Sequence, residues 1–111
     1  MSEWQNKSDF EINKSVSDLL DFDGLIPFFN DNQEVVYLCD KNGVDSIYPV
    51  RDFNPCNNPA DAWPIIIRNE ISIVFMPDEW ECHALINNDE AFNTTNKNPL
   101  RAAMIVYLEM N

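Results

Sequence analysis

His83 is the only histidine in the chain; Cys82 stands beside it, and Cys39 and Cys56 lie elsewhere. A thiolate activated by an imidazole, or a zinc ion held by both, is the chemistry these residue types invite. Their spacing argues against each. Neighbouring residues on a strand point to opposite faces of a sheet, and zinc ligands usually come in close pairs such as C-x2-C. No metal, no cofactor and no catalytic residue is therefore expected. Three thiols at irregular spacing suit reduced core or loop positions better than a disulfide framework. Carboxylates form two clusters, Asp18, Asp21 and Asp23 in one, and Asp78, Glu79 and Glu81 in the other. General acid–base work needs two carboxylates in a pocket that separates their pKa values. With 19 acidic residues against 7 basic ones, acids on a solvated surface are the simpler expectation. A small hydrolase built on the carboxylates or Cys82 lacks a visible set of nucleophile, base and orienting group, and would need a cleft joining His83 to a cysteine or a carboxylate pair. Gly24 and Gly43 are the only glycines, too few for the G-x-G-x-x-G or G-K-[ST] phosphate loops.

The net charge of −12 excludes a direct grip on nucleic acid or anionic lipid, since phosphate binding relies on Lys and Arg releasing counterions. A host protein with a basic surface is the partner such a charge suits. The 111 residues match a single domain, 1–111, of the usual size of about 100–150 residues. Apolar residues at 45 % and aromatics at 12 % suffice for one core, which argues against disorder. Residues 1–10 carry Glu3 and Asp9 without an apolar run, so neither a secretory signal nor a transit peptide is expected. No apolar run approaches the roughly 20 residues of a membrane span. The protein is read as soluble and cytoplasmic.

The elements that must position these side chains follow from periodicity. Ser8-Asp9-Phe10-Glu11 is a capping box, and Ile12, Val16, Leu19 and Leu20 continue it as one helical stripe, with Gly24 placed to end it and Pro27 forbidding its return. Residues 34–39 read as a strand, Asn42-Gly43 as a hairpin turn, and residues 44–48 as the returning strand, with Pro49 keeping its distal end at an edge or terminating it. Residues 52–62 read as an ordered loop with one helical turn after Asn58. Residues 65–67 and 71–75 read as a second hairpin about Arg68-Asn69-Glu70. After Pro77-Asp78, residues 79–85 alternate, with Trp80, Cys82 and Ala84 on one face and Glu81 and His83 on the other. Residues 87–97 read as a surface loop. Asn98-Pro99 then opens a last helix with Leu100, Met104, Tyr107 and Leu108 as its buried stripe. The expected fold is α+β, an antiparallel sheet of four to five strands with an N-terminal and a C-terminal helix packed on it. Trp63 and Trp80 are expected to plug the ends of the core, with a recognition anchor as the alternative; Trp4 is expected to be loose.

The block Phe53-Asn54-Pro55-Cys56-Asn57-Asn58-Pro59-Ala60-Asp61-Ala62-Trp63-Pro64-Ile65-Ile66, taken with Lys97-Asn98-Pro99-Leu100-Arg101-Ala102-Ala103-Met104, resembles the NinX family of lambdoid-phage and prophage proteins. Asp9-Phe10-Glu11-Ile12-Asn13-Lys14 is similar to that family's first helix start, and Trp80 to the tryptophan after its central strands. The blocks run in the right order over nearly the whole chain; residues 25–50 match less well, so a change of partner or an added function would be located there. The resemblance implies a relation to a broader phage domain of α–β–α sandwich type. The family's function is not established, and it brings no catalytic residues. Joined to the charge, the resemblance implies a non-enzymatic phage accessory protein in the host cytoplasm. Such a protein would bind a host protein and inhibit a defence system of CRISPR–Cas or restriction type by presenting acidic groups to a basic nucleic-acid channel. The residues expected at that contact are Asp18, Asp21, Asp23, Asp78, Glu79 and Glu81. The alternative is a structural or assembly role as a homodimer, through a hairpin edge or the last helix.

Overall fold

A computed structural model describes residues 3–41, 47–86 and 88–111. A short 3-10 turn, Glu3–Asn6, leads to α1, Asp9–Ser17. The Ser8 hydroxyl accepts from the Glu11 amide at 3.1 Å, the first half of the expected capping box, while the Glu11 carboxylate lies 3.4 Å from the Lys14 ammonium. The helix stops at Ser17, well before Gly24. Leu19 consequently leaves the stripe and is exposed, whereas Ile12 and Val16 are fully buried.

Two three-stranded antiparallel sheets replace the single sheet expected from the sequence. The first holds β1 (Ile26–Asn30), β2 (Val35–Lys41) and β3 (Ile47–Asp52) in that order. Both prolines sit on its edge strands, Pro27 in β1 and Pro49 beside the bulge in β3, because an imide cannot donate to a central ladder. β1 escaped the sequence reading, and the Asn42-Gly43 turn lies outside the described residues. The second sheet holds β4 (Ser72–Met76), β5 (Glu79–Ile86) and β6 (Asp89–Asn96). β6 occupies most of the stretch read as a surface loop. Its inward positions are Phe92 and Thr94, paired with Ala84 and Cys82, and one aromatic among asparagines and threonines is too weak a period-2 signal to stand out.

The Ile65-Ile66-Ile67 run is helical, a second correction. It belongs to α2, Pro59–Arg68, which opens with the Asn58 side chain accepting from the Ala60 amide. Ala62, Ile65 and Ile66 are buried while Trp63 and Ile67 are exposed, so the period is helical; three β-branched residues are too few to show it. Trp63 therefore plugs nothing. Trp4, by contrast, packs against the core rather than hanging loose.

α3, Pro99–Glu109, is the centre of the molecule. All seven residues from Ala102 to Leu108 are buried, so the expected stripe becomes a helix covered on every side. The second sheet covers one side through β5 and β6, and α1 and α2 cover the other; α1 in turn packs on β2 of the first sheet. The layers run sheet, α3, then α1 with α2, in place of one sheet between two helical layers. Ala102 and Ala103 leave room for this close approach, and Met104, Ile105 and Val106 fill the space between.

The two proline–asparagine blocks meet at the N-terminus of α3. Asn98 accepts from the Leu100 and Arg101 amides at 2.9 and 3.2 Å, and donates to the Cys56 carbonyl at 2.7 Å. Asn13 of α1 donates to Asn54 and accepts from the Cys56 amide. Asp9 receives Arg101 at 2.6 Å and Asn57 at 3.0 Å. Arg101 also donates to the Lys7 carbonyl at 2.6 Å. These asparagines satisfy backbone groups that a loop carries into the interior, where an unpaired one is costly. The residues that carry the family resemblance are thus, for the most part, the fastening of the fold.

Candidate interaction surfaces

The structure separates the expected thiol and imidazole. Cys82 points inward, its thiol 3.4 Å from the Pro99 carbonyl, while His83 points outward, its Nδ1 3.0 Å from the Glu81 carboxylate. Burial pushes the Cys56 thiol up to about 12, with Asp9 raising it further and Arg101 opposing, and burial followed by Glu81 takes Cys82 to about 12. Burial also raises Cys39. All three cysteines are free and buried, and thiols held protonated in this way are poor nucleophiles. Among the described residues no three His, Cys, Asp or Glu side chains converge as metal ligands would.

The six acidic residues stay in two groups, with no hydrogen bond or ion pair between the groups among the described residues. Asp18 caps the C-terminus of α1 and is exposed. A negative charge there opposes the helix dipole, so helix stability does not explain it. Asp21 accepts from the Asp23 amide at 3.0 Å, and Asp23 and Gly24 both take positive φ, 54° and 95°, so two of the three acids shape a tight turn as well as charging it. Asp78 turns the β4–β5 hairpin at φ 72°, a conformation that Asp tolerates better than most residues. Glu79 is half-buried. Glu81 is tied to His83, with only 18 % of its side chain exposed, and is thus not freely offered to a partner.

Sequence reasoning missed the apolar half of this hairpin. Val74, Phe75 and Met76 are exposed, Phe75 at 69 %, and the Phe75 ring packs edge-on against Trp80 at 5.0 Å. Phe75 and Trp80 are cross-strand partners on the face that, further along, meets α3 through Cys82; they extend past the helix and are left partly uncovered. Buried-looking β-branched runs carry no mark of where their cover ends. The described residues also hold a cavity of about 450 Å³ among α2, α3 and the chain after α1, which includes Asp21, Arg51, Arg68 and Tyr107 in its walls.

An antiparallel α+β protein with its thiols buried and its aromatic and acidic groups exposed on one hairpin is the class these features define. The chain belongs to the phage NinX family: the family model described as Bacteriophage P22, NinX matches residues 6–111. No curated protein and no solved structure matches the chain. No helix among the described residues is long and apolar enough to cross a membrane.

Proposed function

We propose that this NinX-family phage protein acts without catalysis, by docking its β4–β5 hairpin onto a host protein with a basic surface in the host cytoplasm. The observation that carries the reading is the uncovered Phe75 beside Trp80, with Asp78 and Glu79 at the hairpin turn. An exposed aromatic anchor edged by charge is the usual anatomy of a protein-binding patch. The acids would steer approach to a basic partner, and the aromatics would hold it. A nucleic-acid-handling protein of a CRISPR–Cas or restriction system has the required basic surface. Aromatic groups among the acids favour protein docking over mimicry of a phosphate chain alone, to which Phe75 would add nothing.

The test is affinity capture from host lysate at low salt and at about 0.15 M, where charge interactions are screened beyond about 8 Å. Wild type is compared with Phe75→Ser and with Asp78→Lys/Glu79→Lys. A nucleic-acid-handling complex captured by wild type and lost from both variants supports the proposal. Equal capture by both variants refutes the hairpin, and recovery of the chain alone, as a dimer by light scattering, favours self-assembly.

A further inference from the structure

The 450 Å³ cavity beside α2 falls within the range of about 300–1,000 Å³ typical of small-ligand sites. Leu19, Phe22 and Ile65 give it an apolar wall, which accounts for an exposed leucine just after α1. Of its polar groups, Arg51 and Asp61 pair with each other and Asn69 donates to the Ile65 carbonyl, which leaves Arg68 and Tyr107 as the donors to consider. Tyr107 is 6 % exposed, and its hydroxyl makes no hydrogen bond among the described residues. The Tyr107 side chain lines the cavity. Arg68, the last residue of α2, has no carboxylate within 4.0 Å among the described residues. Arg68 and Tyr107 line the same cavity; burial raises the Tyr107 phenol and Arg68 pulls it back. Arg51 is already committed through Nη1 to Asp61 at 2.7 Å, and the other Asp61 oxygen takes the Asn54 amide, so this carboxylate has no claim on Arg68.

We propose that the cavity binds a small carboxylate on an aromatic body, with the Arg68 guanidinium and the Tyr107 hydroxyl taking the carboxylate and the apolar wall taking the ring. A guanidinium presents two parallel N–H donors that match a carboxylate's two oxygens. One cation with no carboxylate within 4.0 Å among the described residues balances one negative charge; a doubly charged phosphate would meet stronger repulsion from Asp21 in the same wall and from a chain of net charge −12. The carboxylate can come from a free acid or from the C-terminal residue of a peptide.

Titration of the ¹⁵N-labelled protein with indole-3-acetate, with acetyl-Gly-Gly-Trp and with tryptophol distinguishes these. Tryptophol carries the same ring without the charge. Saturable shifts of the Arg68 Nε–H and of the Leu19 and Phe22 amides are expected for at least one acid, with an affinity of about millimolar for ligands of this size. Whichever acid binds more tightly names the source. Arg68→Gln should weaken binding about tenfold, the loss expected for a charged hydrogen bond. Tyr107→Phe should weaken it about threefold without loss of fold, because the hydroxyl makes no hydrogen bond among the described residues. No saturable shift at about 10 mM, a concentration well above the expected dissociation constant, would overturn the proposal. So would equal binding of tryptophol, or binding unchanged in Arg68→Gln. Neither Arg68 nor Tyr107 belongs to the hairpin, so this outcome and that of the lysate capture are independent.

Discussion

Replacing Asp61 by Ala should be among the most damaging single polar changes in this protein. The Asp61 side chain is only 3 % exposed and lies 2.7 Å from Arg51 Nη1, and it also accepts the Asn54 amide at 2.9 Å. It thereby joins α2, β3 and the loop between them. Hydrogen bonds to charged groups contribute about 1.5–3 kcal/mol, and a buried amide left without an acceptor costs about 1–3 kcal/mol. The two overlap, so the loss should be about 3 kcal/mol, a large share of the roughly 5–15 kcal/mol that holds a native domain. At a urea dependence of about 1.5 kcal/mol per molar, the unfolding midpoint should fall by about 2 M. Arg51→Ala should cost a comparable amount by the opposite route, since it leaves a buried carboxylate without its cation. The double variant should be less unstable than the sum of the two, by about 1–2 kcal/mol, because both remove one shared interaction. Asp18→Ala, at an exposed position, serves as the control. A loss below about 0.5 kcal/mol for Asp61→Ala, the range of ordinary surface changes, would refute the view that this carboxylate fastens the loop.

Asn98→Ala removes the cap of α3 and the bond to the Cys56 carbonyl, and should cost about 2 kcal/mol by urea titration; thermal midpoints within a degree of wild type would contradict it. Met104→Ala empties a fully buried position on α3 and should cost about 2–5 kcal/mol, read by the same titration. Phe75→Ser loses the edge-on contact with Trp80 and should cost about 0.5–1.5 kcal/mol, read by the same titration, which leaves the chain folded for the lysate capture. The Cys56 and Cys82 thiols titrate near 12 in the folded chain and near 8.5 when unfolded. With the folded values raised, their contribution is complete below about pH 8.5 and is lost as pH climbs toward 12, by up to about 1.4 kcal/mol per pH unit for each thiol. Urea midpoints unchanged between about pH 8 and pH 10.5 would be inconsistent with such burial.

Local chemistry is legible in this sequence wherever one residue type satisfies a backbone group. Ser8 and Asn98 mark helix starts because their side chains accept from amides two or three residues on, and they do so in the folded chain. The alternation that sets Cys82 against His83 is likewise a property of an extended backbone. Residues 79–85 therefore read correctly. The acidic clusters are legible as exposed charge for four of the six residues, but the pairing of Glu81 with His83 depends on two outward-facing neighbours on a strand and was not foreseen. Phe75 and Trp80 looked like core, because hydrophobicity reports what can be buried and not what is.

The sequence by itself determined the α+β class, the position of α1 and α3, the reduced thiols and, through the proline–asparagine blocks, the family. Those features are set by caps, periods and compositions a few residues long. Tertiary structure alone decided that Ile65-Ile66-Ile67 is helical, that the strands form two sheets of three, that Asp89–Asn96 pairs as β6, and that α3 is wrapped on every side. Each of these rests on which surfaces meet at long range. A helix face, an edge strand or an aromatic ring is completed by packing partners far along the chain, and only their arrangement left Phe75 uncovered and Arg68 without a carboxylate within 4.0 Å among the described residues.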